Sequence, residues 1–181
     1  MKSQQPGAIL MRASAISKKG AASFEELKPA CQILIVHEDF SAYTRAVEVC
    51  RRVMERFASE LDFDLKCWNF IELADPNCAR HAAKTAGMAD IILLSVRAPL
   101  LPPEFDRWLE VLSAARSKPE GVLALAMDTD DGPTLLREKL FRRLTLFSER
   151  LGMDFISFVP GDETAVINLQ PVITAHRQLR P

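Results

Sequence analysis

Glycine is scarce in this chain, with seven in 181 residues, and none lies between the first apolar run (32–37) and the helical pattern that follows it. A phosphate cradle needs glycine where the backbone must approach an anion closely, and neither a GxGxxG nor a Walker A pattern occurs. Dinucleotide and P-loop sites are therefore excluded. Also missing is any run near the roughly 20 apolar residues that a membrane span requires. The four cysteines, Cys31, Cys50, Cys67 and Cys78, form no CxxC or zinc-type spacing, and they are expected as reduced, mostly buried thiols of a cytoplasmic protein. No charge of one sign dominates: 23 Lys and Arg against 24 Asp and Glu give a net charge of −1, which implies no nucleic-acid and no membrane partner.

What is present is an ordinary globular balance of 48% hydrophobic and 26% charged residues. A chain of this length makes one domain with tails and buries about two-thirds of its unfolded surface without staples. Residues 1–30 lack periodicity and are broken by Pro6, Gly7 and Gly20. Their first 23 residues carry Lys2, Arg12, Lys18 and Lys19 and no acid, and Ala8–Met11 is too short for a secretory core. A flexible or partly helical N-terminal extension is expected, with one helical turn from Ser23 ended by Pro29.

From residue 31 the pattern sharpens. Gln32–His37 reads as a strand buried on both faces. Ser41 reads as a helix cap, followed by apolar residues at helical spacing from Tyr43 to Leu61. Asp64–Glu72 reads as a second strand, and Asp75-Pro76 opens a short helix that Gly87 closes. Asp90–Val96 is the third strand. Pro102-Pro103-Glu104 starts a helix striped by Phe105, Trp108, Leu109 and Leu112, with Trp108 placed in the core. Gly121–Met127 is the fourth strand, Thr134–Leu151 a helix capped by Gly152, and Asp154–Val159 the fifth strand. The rest, from about Glu163 and divided by Pro171, is expected as a C-terminal extension over 163–181.

Five alternations of strand and helix, joined by right-handed crossovers, predict an α/β fold: a doubly wound five-stranded parallel sheet, order 2-1-3-4-5, in a three-layer α/β/α arrangement over residues 31–162. Ligands of such sheets sit at the carboxyl ends of strands one and three. Those ends carry His37-Glu38-Asp39-Phe40-Ser41 and Ser95-Val96-Arg97-Ala98-Pro99, with Asp128-Thr129-Asp130-Asp131 after strand four and Val159-Pro160-Gly161-Asp162-Glu163 after strand five.

The segment Ile33–Ser41 followed by Arg45 resembles the opening of a response-regulator receiver domain, a family with an acidic pair after strand one that holds magnesium. Asp90–Pro99 is similar to that family's third strand and loop, and Gly152–Pro160 to its fifth strand. The resemblance spans residues 32–160. It implies a phosphoacceptor position at Ser95, a lysine position at Val159 and a Ser/Thr position near Ala126, each filled here by another residue type. Only the acidic pair, Glu38 and Asp39, survives. Phosphoryl transfer to a carboxylate needs the missing nucleophile and cation, so aspartyl phosphorylation at the usual place is expected to be lost.

The candidate pocket is His37, Glu38, Asp39, Ser95, Asp128 and Val159, with no catalytic residue assigned. Glu38 and Asp39 are candidate magnesium ligands, joined by Asp128, Asp130 or Asp131 in an oxygen-rich set; otherwise no cofactor is expected. His37 titrates near neutrality and is a candidate acid–base group, while His81 and His176 read as surface residues. The helix 134–151 carries Arg137, Lys139, Arg142, Arg143 and Arg150, and the resemblance marks Arg142 and Arg143 as a candidate interface. The leading expectation is a phosphorylation-independent, receiver-like protein-interaction module of bacterial signalling, with a protein partner or a homodimer. The alternative is a small-ligand-binding protein of flavodoxin-like architecture, or a hydrolase using the acidic cluster.

Overall fold

The computed structural model describes residues 28–118, 120–128, 134–158 and residue 169. Five parallel strands form one sheet: β1 (Ala30–His37), β2 (Asp62–Asn69), β3 (Ile91–Val96), β4 (Val122–Met127) and β5 (Asp154–Phe158), ordered β2-β1-β3-β4-β5. They are joined by α1 (Phe40–Phe57), α2 (Pro76–Met88), α3 (Pro103–Ala115) and α4 (Thr134–Leu151), with a 3-10 turn at Glu72–Ala74. The predicted topology and order are those observed.

Strand alternation sends Leu34, Val36, Ile92 and Leu94 to one face, under Trp108 and Leu112 of α3 and Leu140 and Leu144 of α4. Ile33, Ile35 and Leu93 go to the other face, under Val49, Cys50, Val53 and Phe57 of α1. Buried Leu169 belongs to this second cluster. All six residues of β3 and of β4 are buried, which is why these strands read as unbroken apolar runs.

Three local readings are corrected. Asp39, not Ser41, is the N-cap of α1, because its Oδ1 accepts the Ala42 amide at 2.8 Å. The second strand runs from Asp62 to Asn69, and the following Glu72 opens the 3-10 turn instead of ending the strand. Gly87 does not close α2; it lies inside the last turn, where a Cβ would stand 2.7 Å from the Ala115 carbonyl oxygen, so its role is close packing of α2 on α3. Gly152, at φ 67°, does follow α4 in the left-handed conformation that glycine tolerates. The expectations for residues 1–27 and 163–181 lie outside the described residues, Leu169 excepted. No described helix is long and apolar enough to cross a membrane.

Candidate functional site

Parallel register brings the ends of three strands level: His37 of β1 stands beside Asn69 of β2 and Ser95 of β3. The sheet thus gathers His37, Glu38, Asp39 and Ser95 at the point where the strand order reverses. Each carboxylate already has a structural partner. Glu38 Oε2 accepts the Arg97 amide at 2.7 Å, and the Arg97 guanidinium lies 3.9 Å from Asp39 Oδ2. Asn69 Nδ2 donates to the Glu38 carbonyl at 3.2 Å, while the Asn69 amide donates to Glu72 Oε2 at 2.8 Å.

The start of α1 is where a phosphate would be held in a glycine-rich turn, and there the Asp39 carboxylate supplies the acceptor itself. Asp39→Ala should lower stability by about 1 kcal/mol through loss of the cap, whereas Asp39→Asn should retain most of it. Urea unfolding of the two variants checks this ordering.

His37 Nδ1 lies 3.1 Å from the Asp39 carbonyl oxygen. Burial lowers the imidazole below its ordinary value, against an opposing backbone hydrogen bond and nearby carboxylates, so the neutral ring is favoured. Ser95 is fully buried, and its hydroxyl finds no partner among the described residues. No base there activates it as a nucleophile. The thiols are no better placed: burial pushes Cys31 and Cys50 up to about 12 and Cys67 to about 11.

Asp128 is held by Arg45 of α1. The Arg45 Nε donates to Asp128 Oδ1 at 3.1 Å, its Nη1 to the Val96 carbonyl at 2.9 Å, and its Nη2 completes the ion pair with Oδ2. Among the described residues no three His, Cys, Asp or Glu side chains are grouped so as to hold a metal. Asp130, Asp131 and Val159 lie outside the described residues.

The Arg45–Asp128 pair borders a groove of about 770 Å³ between α1 and the ends of β4 and β5. Val49, Ala126 and Phe158 supply apolar lining, and Thr44, Glu48 and Arg52 line it from α1. The Arg52 Nε–H is buried and has no acceptor among the described residues. Arg52 and Phe158 were not singled out as site residues in the sequence, and Ala126 entered there only as the Ser/Thr position of the receiver resemblance. A signal exists for the helix part: Ser41, Arg45, Glu48 and Arg52 recur at intervals of four, three and four, one polar flank of an otherwise sheet-facing helix.

Arg142 and Arg143 are exposed on α4, where Arg143 pairs with Asp106 of α3. Both line a second groove of about 640 Å³ between α3 and α4, with Leu109, Leu146 and Phe147.

The 2-1-3-4-5 parallel sheet with helices on both faces defines a flavodoxin-like α/β fold. No family model and no curated protein matches the sequence. Among solved structures, a flavodoxin of Streptococcus pneumoniae aligns with 81% of this chain and 98% of its own at 14% identity and a TM-score of 0.47. A flavodoxin-like domain from a Synechococcus species aligns with 81% of this chain and 96% of its own, at 15% identity and a TM-score of 0.45. General stress protein 14 of Treponema denticola, solved in complex with FMN, aligns at 9% identity and a TM-score of 0.39, covering 81% of this chain and 95% of that one. These likenesses single out no receiver relationship and say nothing of activity; the fold stands on the strand order itself.

Proposed function

We propose that the protein binds a small ligand in the groove between α1 and the ends of β4 and β5, and that the ligand joins an apolar body to a carboxylate-type acceptor. The groove itself carries the reading: its volume of about 770 Å³ lies within the roughly 300–1,000 Å³ usual for small-molecule sites, and it combines apolar lining with a few polar groups. Arg52 supplies the specific contact, because a buried guanidinium N–H without an acceptor among the described residues gains most from a ligand oxygen. Arg45 is already committed to Asp128 and Val96 and acts as a fixed wall.

Flavin mononucleotide and other phosphate esters fit poorly at the switch point. The Asp39 and Glu38 carboxylates occupy amides of the β1–α1 and β3–α3 turns, and a phosphate there would meet two negative charges. The reading is binding and not catalysis, since the described site pairs no nucleophile with a base.

Calorimetry with a panel of aryl carboxylates, FMN and inorganic phosphate tests it. One-to-one binding of an aryl carboxylate is expected, weakened at least tenfold in Arg52→Leu (a loss of about 1.4 kcal/mol). Thr44→Trp, a substitution at an exposed helix position that fills the groove mouth, should abolish binding without loss of fold. Absence of binding by every aryl carboxylate, unchanged affinity in Thr44→Trp, or a preference for FMN would overturn the reading.

A further inference from the structure

Two surfaces of this protein carry opposite charge around exposed apolar side chains. On α4, residues 135, 139, 142, 146 and 150 follow one another at intervals of four, three, four and four, which places them on one stripe of the helix. Leu135 and Leu146 on that stripe are 60% and 57% exposed, and Lys139, Arg142 and Arg150 frame them with no acid in the stripe; of the α3 acids beside it, Asp106 is already paired with Arg143, and Glu110 lines the same groove. The stripe spans 15 residue steps, about 22 Å of helix.

The second surface is the carboxyl edge of the sheet. Phe40, Ile71 and Leu100 are 81%, 80% and 64% exposed, and they stand in the segments that leave β1, β2 and β3. These strands are neighbours in the order β2-β1-β3, so the three segments emerge within about 10 Å across the sheet. Glu38, Asp39, Glu72 and Asp75 lie among them, and Arg97 is the one cation of these three segments among the described residues.

Exposed apolar residues scattered singly need no explanation. Here they fall in two groups, one framed by cations and the other by carboxylates, and opposite potentials facing one another over an apolar centre is how specific interfaces are arranged. We propose that the α4 stripe of one molecule docks on the carboxyl edge of a second copy. The contact joins unlike patches: leucines of α4 meet Ile71 and Leu100, while Lys139, Arg142 and Arg150 meet the edge carboxylates. The edge shares Phe40 with the mouth of the ligand groove, but the contact is made through Ile71 and Leu100, which do not line that groove, so either proposal can fail alone.

Sedimentation equilibrium of the full chain tests the contact with two double variants at exposed positions, Ile71→Lys with Leu100→Lys on the edge, and Arg142→Glu with Leu146→Glu on the stripe. Thermal midpoints within a few degrees of wild type show that each variant remains folded. The wild-type mass should rise with concentration at low salt and return toward the monomer at about 0.5 M salt, where charges are screened within a few ångströms. Each variant alone should associate at least tenfold more weakly. An equimolar mixture should restore a one-to-one dimer, because each variant keeps the face the other has lost. A wild type that stays monomeric at low salt, a mixture that stays monomeric, or an edge variant that self-associates like wild type (the mark of α4 pairing with α4) would each overturn the proposal.

Discussion

Trp108→Ala is expected to lower stability by about 3–5 kcal/mol, read as a fall in the urea midpoint with an unchanged slope. Trp108 is fully buried at the centre of the cluster over α2, α3 and α4, with its ring 5.5 Å from Phe105, which in turn packs edge-on against Phe70 at 5.3 Å. Truncation would remove one end of this aromatic chain and leave a cavity that the flanking strands, buried on both faces, can close only by moving the sheet. The indole also carries a liability, since its Nε1–H is buried without a partner among the described residues. Trp108→Phe removes that donor along with part of the ring, so it should lose less than half as much as Trp108→Ala. If the two substitutions lose equal stability, the indole N–H has a partner that this account lacks.

Asp90→Ala should lower stability by about 3 kcal/mol, the second largest effect expected, because it removes one member of an ion pair whose carboxylate is almost wholly buried. Asp90 stands just before β3 at the amino edge of the sheet. Its Oδ2 accepts the Gln32 amide at 2.7 Å, its Oδ1 pairs with Lys118, and its own amide and carbonyl bond to Gln32 and Val122 at 2.9 and 2.8 Å. One residue therefore fixes the starts of β1, β3 and β4 in register. Asp90→Asn keeps an acceptor for Gln32 and should lose less. Lys118→Met should also lose about 3 kcal/mol, because it takes the lysine cation away from a carboxylate that stays almost wholly buried. Thermal or urea unfolding of the three variants gives the order directly.

The fold was legible because its strongest signals are local. Unbroken apolar runs at Ile33–Val36, Ile91–Leu94 and Val122–Met127 require strands buried on both faces, and buried parallel strands require crossover helices. Boundaries were less legible. Asp39 and Ser41 are both good cap residues, and only the turn geometry after β1 decides that the Asp39 side chain reaches the Ala42 amide. Gly87 looks like a helix end in sequence; its packing role depends on Ala115, which sits 28 positions away along the chain.

The candidate site divides in the same way. His37, Glu38, Asp39 and Ser95 were found from topology alone, since the strand order fixes which ends are adjacent. Asp128, expected in the same pocket, is held by Arg45 of α1, 83 residues earlier in the chain. Arg52 and Phe158 line one groove only because α1 lies over β4 and β5. The sequence by itself determined the class of fold, the strand order and the lack of glycine between β1 and α1, because hydrophobic periodicity and backbone chemistry act over a few residues. Tertiary structure alone decided which charges pair, which hydroxyl and guanidinium are left without partners among the described residues, and which apolar side chains stay exposed. Those outcomes depend on contacts between residues far apart in the chain, and no local pattern encodes them.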